Sequence, residues 1–307
     1  MKRKIIIDTD PGHDDAMAIM LAVKSEVFDI LAITTVCGNS TIENTTRNAR
    51  YVLRLLGRED IPVYSGARNP LKQSLIRAIV HGKSGLEGID PINKAGLTGN
   101  AVEQIITLVK NNPGKITLVT LGPLTNIAMA IQKEPKTMIK VKEIIIMGGA
   151  INVAGNKNRV AEFNIFVDPD AAKIVFDFAC QKTIVPLDAC NHVRLTIKDF
   201  GKVKNKNLRS ALLKMSRPYI RNIAKDIGVK AALMYDPLTV FYLISPVSCK
   251  VCKDNVQVEI KGEITRGMTV VDKRMVTDKA KENMTIVTHI SQAKFRNAFI
   301  RILSRKN

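Results

Sequence analysis

The sequence lacks a long hydrophobic segment. No apolar run among its 307 residues reaches the roughly 18–20 residues of a membrane-spanning helix. The basic start, Met1 to Lys4, is followed by a short apolar run, Ile5 to Ile7, which ends at Asp8. A secretory signal peptide has a longer apolar region than this. We therefore expect a cytoplasmic protein that makes no use of a membrane.

Cysteine is scarce, and its number is odd. The five cysteines are Cys37, Cys180, Cys190, Cys249 and Cys252. A scattered, odd set of this kind indicates reduced thiols in a reducing compartment. Cys249 and Cys252 form one Cys-x-x-Cys pair, but a zinc site needs a second pair of ligands at suitable spacing, and none is evident. We interpret all five as ordinary thiols.

Acidic residues are few relative to basic ones. The chain has 47 Lys and Arg against 28 Asp and Glu, a net charge of +19, which is compatible with binding to nucleic acid. However, the densest basic stretches, Lys198 to Lys214 and Arg301 to Lys306, contain few aromatic side chains on which bases could stack. We attribute the charge to a solvated, lysine-rich surface and do not expect nucleic acid as a partner.

Strand and helix signals alternate along the chain. This alternation predicts an α/β fold with an open, mostly parallel, twisted sheet, a Rossmann-like core and helices on both faces. There is no linker, repeat or break in composition, so we expect a single domain over residues 1–307. The segment Ser65 to Asn100 is rich in Gly, Pro and polar residues and is predicted to be a long loop, which in compact domains is usually functional.

Four carboxylates lie close together where the first predicted strand ends and the first helix begins. They are Asp8, Asp10, Asp14 and Asp15, and their mutual repulsion raises their pKa values unless a positive charge lies among them. Oxygen donors favour Ca²⁺ or Mg²⁺ over Zn²⁺. The alternative is a helix cap, with Asp14 capping and the others solvated. A cap needs one or two carboxylates, so the metal site is the favoured hypothesis.

Other polar groups also follow predicted strands. Because the carboxyl ends of parallel strands form one edge of the sheet, where ligands bind, these residues are expected to share one site. They are Asp8 and Asp10, Asn39, Leu121 with Gly122, Met147, and Asp188.

The segment from Asp8 to Ala16, Asp-Thr-Asp-Pro-Gly-His-Asp-Asp-Ala, resembles the signature of the inosine-uridine-type nucleoside hydrolases. Five further segments are similar to that family and follow its order, so the resemblance covers most of the chain. They are Gly38-Asn39, Leu121 to Asn126, Met147 to Gly149, Ala161 to Asn164, and Asp236 to Leu238.

The resemblance implies a nucleoside hydrolase fold and a Ca²⁺-dependent enzyme. Such an enzyme hydrolyses the N-glycosidic bond of purine or pyrimidine ribonucleosides to free base and ribose, and the family forms dimers or tetramers. By the same resemblance, Asp10, Asp15, Asp236 and the backbone carbonyl of Leu121 hold Ca²⁺. Asp10 also acts as the general base that activates a calcium-bound water.

The resemblance further implies which residues bind the substrate. Asp14 and Asn164 hold the ribose hydroxyls, Asn156 and Glu162 hold the 5′-hydroxyl, Met147 packs against the sugar, Phe163 and His81 complete the substrate-binding set, and Asn39 orients the reacting water.

One position departs from the commonest family pattern. Many members have a histidine immediately before the last metal-binding aspartate, as the acid that protonates the leaving base, and this chain has Tyr235 there. Tyrosine, with a reference pKa of about 10, is a weaker acid. His81 lies in a His-Gly-Lys-Ser-Gly-Leu stretch, similar to that of members in which this histidine is near the base. We rank His81 first and Tyr235 second as leaving-group donors.

Two questions stay open from the sequence. Tyr219 and Arg221 belong either to a lid over the base or to a surface helix. The chain could also be a nucleoside- or ribose-binding protein with little turnover. The retention of Asp10 together with the metal-binding set argues against the second possibility, since binding alone does not need a general base.

Overall fold

An eight-stranded sheet forms the centre of the protein in the computed structural model, which describes residues 2–89, 96–274, 276 and 278–305. The strands are β1 (Arg3–Thr9), β2 (Phe28–Thr35), β3 (Val63–Ser65), β4 (Ile116–Thr120), β5 (Glu143–Met147), β6 (Lys182–Val185), β7 (Arg194–Leu195), β8 (Ala232–Leu233), β9 (Cys249–Asp254), β10 (Val256–Val258), β11 (Thr269–Val271) and β12 (Met284–Ile290). Eight of these strands form the central sheet, in the order β3-β2-β1-β4-β5-β6-β12-β9, while β10 pairs with β11 and β7 pairs with β8. β9 is antiparallel to β12, and the other neighbouring pairs are parallel.

Helices cover both faces of this sheet. They are α1 (His13–Ser25), α2 (Ile42–Leu55), α3 (Ala101–Asn111), α4 (Thr125–Lys133), α5 (Pro135–Met138), α6 (Phe163–Val167), α7 (Pro169–Asp177), α8 (Leu187–Cys190), α9 (Ile197–Gly201), α10 (Lys206–Ile227), α11 (Tyr235–Ile244) and α12 (Gln292–Leu303). Side chains of β1 alternate between two apolar cores: Ile5 and Ile7 pack with α1, α11 and α12, whereas Ile6 packs with α3, α4 and α7. The predicted α/β fold is confirmed.

Helix starts follow local capping chemistry. Asp168 caps α7 by accepting a hydrogen bond from the backbone N–H of Ala171 (3.0 Å), and Pro169 occupies the first helical position, as its missing N–H favours. Asn100 caps α3 in the same way, accepting from Val102 (3.0 Å). These starts were readable from sequence because a cap is a local interaction.

The strand β12 was not predicted, although it lies inside the sheet. Five of its seven residues are β-branched, namely Thr285, Ile286, Val287, Thr288 and Ile290, so a local strand signal was present and leaving this strand out was wrong. The sequence near Val256–Ile260 and Met268–Val271 predicts two small strands, and the structure has β10 and β11 there.

The long loop expected after β3 is found in the described residues up to Asn100, with residues 90–95 outside the description. All five cysteines are free thiols. No helix in the described part of the chain is both long and apolar enough to cross a membrane.

One buried amide joins the strand ends that carry the site. Asn126 is fully buried and donates from Nδ2 to Asp8 Oδ1 (2.8 Å) and to the carbonyl of Thr35 (3.0 Å). Its Oδ1 accepts from the backbone N–H of Ala67 (2.9 Å). The ends of β1 and β2 and the start of the long loop are thereby fixed to the start of α4.

Replacing this amide tests its structural role. Asn126→Ala leaves three buried polar groups without their partner, each worth about 1–3 kcal/mol, so we expect the free energy of unfolding to fall by at least about 2 kcal/mol. Urea denaturation measures this. Asn297→Ala, at an exposed position of α12, is the control and is expected to change stability by less than about 0.5 kcal/mol. Equal stabilities of the two variants would contradict the role given to Asn126.

Candidate active site

A cavity of about 230 Å³ opens at the carboxyl edge of the sheet. The chain reaches it from the ends of β1, β2, β4 and β5, from the long loop, and from α10 and α11. All eight side chains expected to contact substrate line it: Asp14, Asn39, His81, Met147, Asn156, Glu162, Phe163 and Asn164. Leu121, Tyr235 and Asp236 line it as well.

Buried carboxylates form the floor of the site. Asp14, Asp15 and Asp236 each offer an oxygen, and these oxygens lie within 4.8 Å of one another. Asp10 does not belong to this closest group, but its negative charge acts on Asp236. Burial, and then the charges of the neighbouring aspartates, raise the pKa values of Asp10, Asp14 and Asp236 well above the usual range.

The donor set fits a hard divalent cation. Asp10 Oδ1 and Asp14 Oδ1 are buried and have no hydrogen-bond partner among the described residues. An unpartnered buried oxygen is costly unless something else binds it. Since the donors are carboxylate and carbonyl oxygens without a thiol, the site favours an ion such as Ca²⁺ or Mg²⁺.

Asp10 is held by backbone groups that approach it closely. Its Oδ2 accepts a hydrogen bond from the N–H of Asn39 (2.6 Å). A Cβ atom at Gly38 would lie 2.1 Å from this oxygen, and one at Gly122 would lie 2.6 Å from Oδ1. Both positions therefore require glycine, which explains why the turn after β2 and the turn after β4 each contain one.

The carboxylate that caps the start of α1 is Asp15 and not Asp14. Gly12 is the N-cap residue, and its N–H donates to Asp15 Oδ2 (2.9 Å). The same oxygen accepts from Asn39 Nδ2 (3.0 Å), while Oδ1 accepts from the hydroxyl of Thr9 (2.5 Å). Only Asp15 therefore caps α1. Capping does not explain why Asp10 and Asp14 are buried beside it.

Asp8 lies behind the cluster and supports the strands. Its Oδ1 accepts from Thr34 (2.5 Å) and from Asn126. Burial raises its pKa to about 7, although both hydrogen bonds act in the opposite direction.

Hydrogen bonds between side-chain amides and the backbone hold one wall of the cavity. Asn164 donates from Nδ2 to the carbonyl of Leu121 (2.7 Å) and to that of Met147 (3.3 Å). Asn156 accepts from the N–H of Phe163 through its Oδ1 (2.8 Å). The ends of β4 and β5 are thereby joined to the segment around α6.

Glu162 is the N-cap of α6. Its carboxylate accepts from the N–H groups of Asn164 (3.0 Å), Gly149 (3.1 Å) and Ile165 (3.2 Å). Burial nevertheless raises its pKa to about 7. The expected contact to a 5′-hydroxyl would therefore be made by a carboxylate that already accepts three backbone hydrogen bonds.

Three rings stack at the opposite wall. The ring centroids of His13 and His81 are 5.3 Å apart, and Tyr219 stacks on both, at 4.9 Å from His13 and 5.3 Å from His81. Burial lowers the pKa of His81 well below its usual range and that of His13 to about 4. Both histidines are therefore neutral at pH 7, and Tyr219 belongs to the cavity wall.

His81 is held against His13 through one ring nitrogen. Its Nδ1 lies 3.2 Å from the backbone N–H of His13 and 3.1 Å from His13 Nδ1. On the other side of the ring, Nε2 lies 3.8 Å from Asp14 Oδ1.

Tyr235 is oriented by a residue that the sequence did not indicate. Its hydroxyl donates to Asn191 Oδ1 (3.2 Å), at the end of α8. Burial raises the pKa of Tyr235 above its usual value. Since Asn191 belongs to no motif and meets Tyr235 only through the fold, no sequence signal pointed to it.

A sequence model of a family described as inosine-uridine preferring nucleoside hydrolase matches residues 5–297. Among similar sequences, an uncharacterized protein of Schizosaccharomyces pombe is 40% identical, covering 98% of this chain and 99% of the other. A protein named pyrimidine-specific ribonucleoside hydrolase RihA from Shewanella woodyi is also 40% identical, with 96% of each chain covered.

Solved structures show the same likeness. A plant nucleoside hydrolase superposes with a TM-score of 0.93 at 33% identity over 100% of both chains. A purine-preferring ribonucleoside hydrolase from Gardnerella vaginalis superposes with a TM-score of 0.89 at 31% identity over 98% of both chains.

The raised pKa of Glu162 has a consequence for stability. Its folded pKa of about 7 exceeds the unfolded value, so the folded state binds the extra proton between about pH 4.5 and 7, and stability falls as the pH rises through this window by about 3 kcal/mol. Glu162→Gln removes this contribution. We expect the free energy of unfolding of the wild type, relative to that of this variant, to fall by about 3 kcal/mol from pH 4.5 to pH 7.

Urea denaturation at several pH values, with a chelator present, measures this difference. Parallel pH curves for the two proteins would contradict the assignment.

Proposed function

The chain belongs to the inosine-uridine preferring nucleoside hydrolase family, whose members are N-ribohydrolases, and we propose that it releases the base from ribonucleosides with the aspartate cluster as its reaction centre. The observation that carries the proposal is the pair of unpartnered buried oxygens, Asp10 Oδ1 and Asp14 Oδ1. Asp14 lines a cavity whose walls carry the amides and rings expected for ribose and base, and Asp10 is bound to Asn39 of the same lining.

We assign the cation as Ca²⁺, with Asp10, Asp15, Asp236 and the carbonyl of Leu121 as its protein ligands. Ca²⁺ takes six to eight oxygens, and the remaining positions suit water and the sugar hydroxyls. When bound, the ion supplies a positive charge among the carboxylates and makes a water easier to deprotonate. The all-oxygen donor set and the raised pKa values of Asp10 and Asp236 support a hard cation, and the carboxylates whose oxygens lie closest together are Asp14, Asp15 and Asp236.

Asp10 is the proposed general base. The N–H of Asn39 holds Oδ2 in place, and Oδ1 is left to accept the proton from the attacking water. Asn39 lines the cavity beside it and orients that water. Asp14 and Asn164 hold the ribose hydroxyls, and the carboxylates stabilise the positive charge that develops on the sugar ring, as in glycoside hydrolysis.

His81 is the proposed donor to the leaving base. Its Nε2 lies 3.8 Å from Asp14 Oδ1, and both residues line the cavity, whereas the hydroxyl of Tyr235 donates to Asn191. A neutral imidazole donates a hydrogen bond that strengthens as the base becomes anionic. Tyr235 then contributes a wall and a hydrogen-bond acceptor rather than the proton.

The proposed substrate class is the ribonucleoside, purine or pyrimidine, in nucleoside salvage. We expect the enzyme to act in the cytoplasm as a homodimer or homotetramer, which the family resemblance implies.

Release of ribose tests the activity directly. Purified protein is incubated with inosine, adenosine, uridine and cytidine, and reducing sugar is measured with and without a chelator. We expect ribose from at least one nucleoside, loss of activity with the chelator, and recovery with Ca²⁺. Asp10→Asn should lower kcat at least about 10³-fold, because both the base and a metal ligand are lost.

Asp29→Asn is the control, since this exposed carboxylate lies at the start of β2, at the opposite end of the strand from the cavity; it should retain kcat. Absence of ribose from every nucleoside would reject the hydrolase, and nucleoside binding without turnover would then favour the binding protein.

The two leaving-group candidates can be ranked by substitution. His81→Ala should lower kcat by about 10²- to 10⁴-fold, the usual contribution of a positioned proton donor. Tyr235→Phe should cost less than about tenfold, because its proton is directed at Asn191 and not at the substrate. Steady-state kinetics with the best nucleoside measures both. A larger effect at Tyr235 than at His81 would reverse the assignment.

A further inference from the structure

We propose that Glu87 is a positioning residue that latches the loop carrying His81 onto helix α10. The loop, residues 78–89, contains Ala78, Ile79, Val80 and His81 of the cavity wall. The inference rests on the proposed function, since it requires His81 to act on the leaving base.

The cavity lies between two elements that are far apart in sequence. One wall is the 78–89 loop, and the facing wall is α10, through Tyr219, Asp226 and Ile227. Neither element belongs to the sheet edge that carries the aspartates. The distance between these walls therefore depends on contacts that join the loop directly to α10.

The side chain of Glu87 makes these contacts. Arg221 Nη2 donates to Glu87 Oε1 (2.6 Å), and Asn222 Nδ2 donates to Glu87 Oε2 (2.8 Å). Asn222 also donates to the carbonyl of Val80 (3.1 Å), the residue before His81. Both carboxylate oxygens are thus bound to α10, and one of the donors reaches the neighbour of His81.

The backbone of Glu87 is bound to the histidine pair at the same time. Its N–H donates to the carbonyl of His81 (3.2 Å), and its carbonyl accepts from His13 Nε2 (2.9 Å). One residue therefore links α10, the loop and the rings that support His81. A shift of Glu87 would move all three relative to one another.

The backbone beside Glu87 lies directly on α10. Gly88 has φ +89°, and a Cβ atom there would lie 2.5 Å from the carbonyl of Lys214. Only glycine fits this close approach. The loop therefore packs against α10 next to the contacts of the Glu87 carboxylate. This packing fixes the position of the loop relative to the helix.

The contact between Glu87 and Arg221 is exposed, so its effect on activity can be measured separately from any effect on folding. The side chains of Glu87 and Arg221 are 40% and 54% exposed, and an exposed ion pair contributes little to stability. Loss of the contact should therefore act on the position of His81, with little effect on the stability of the fold.

The test uses two substrates that differ in their need for a proton donor. A nucleoside needs hydrogen bonding to its leaving base, whereas 4-nitrophenyl β-D-ribofuranoside releases 4-nitrophenolate, a good leaving group, without it. For Glu87→Ala we expect kcat on nucleosides to fall about 10- to 100-fold and kcat on the nitrophenyl riboside to change less than about twofold, with the melting temperature within about 2 °C of the wild type.

Two variants keep the result interpretable. Glu87→Gln keeps an oxygen for Asn222 and should fall between the wild type and Glu87→Ala. Glu103→Ala is the matched control, because Glu103 forms an exposed ion pair with Lys133 on the other face of the sheet; it should leave both activities unchanged. In the His81→Ala background, Glu87→Ala should cause no further loss.

The outcomes separate this inference from the proposed function. A wild type without activity on any nucleoside rejects the proposed function itself. With an active wild type, equal losses on both substrates, additive losses in the double variant, or no loss on nucleosides would each overturn the role of Glu87.

Discussion

Burial of several carboxylates at one edge of a parallel sheet is the constraint on which the rest of the structure depends. Asp8, Asp10, Asp14, Asp15 and Asp236 are all nearly inaccessible to solvent, and desolvation opposes their charge more than any other effect. Backbone N–H groups, hydroxyls and side-chain amides around the cluster donate hydrogen bonds to these carboxylates. Among the described residues these donors leave Asp8 Oδ2, Asp10 Oδ1 and Asp14 Oδ1 unbound. The chemistry is expected at Asp14, which lines the cavity, and at Asp10, which is bound to Asn39 of that lining.

The two sides of the cavity are built in different ways. The side proposed for ribose is made of strand ends and short buried hydrogen bonds, such as that from Asn164 to Leu121. The side proposed for the base is made of a loop and the helix α10, joined by exposed polar contacts at Glu87. This division suits a family whose relatives differ, by name, in the bases that they prefer.

Most residues of the candidate site were predicted from the resemblance of its motifs to a known family, and the topology of the sheet explains why several of them meet. Asp10, Asn39, Leu121 and Met147 each end or follow a strand of the parallel sheet, which places them at one edge. The strands β9 and β12 were not predicted, although β12 is rich in β-branched residues. The motifs indicated which residues carry functional groups, and the fold brings these residues into one cavity. Every side chain expected to bind substrate lies in its lining.

Sequence by itself determined most of the elements, the sheet edge and the acidic cluster, because turns, caps and hydrophobic periodicity are local and the motifs are contiguous. The tertiary structure alone decided which carboxylate oxygens stay unpartnered, that His81 lies against His13, and that the hydroxyl of Tyr235 donates to Asn191. Those properties depend on groups distant in the chain: Asn191 for Tyr235, the His13 amide for His81, and Glu87 with α10 for the loop. A hydrogen bond between remote segments leaves no periodic pattern in the sequence. Such a bond can therefore be identified only in the folded structure.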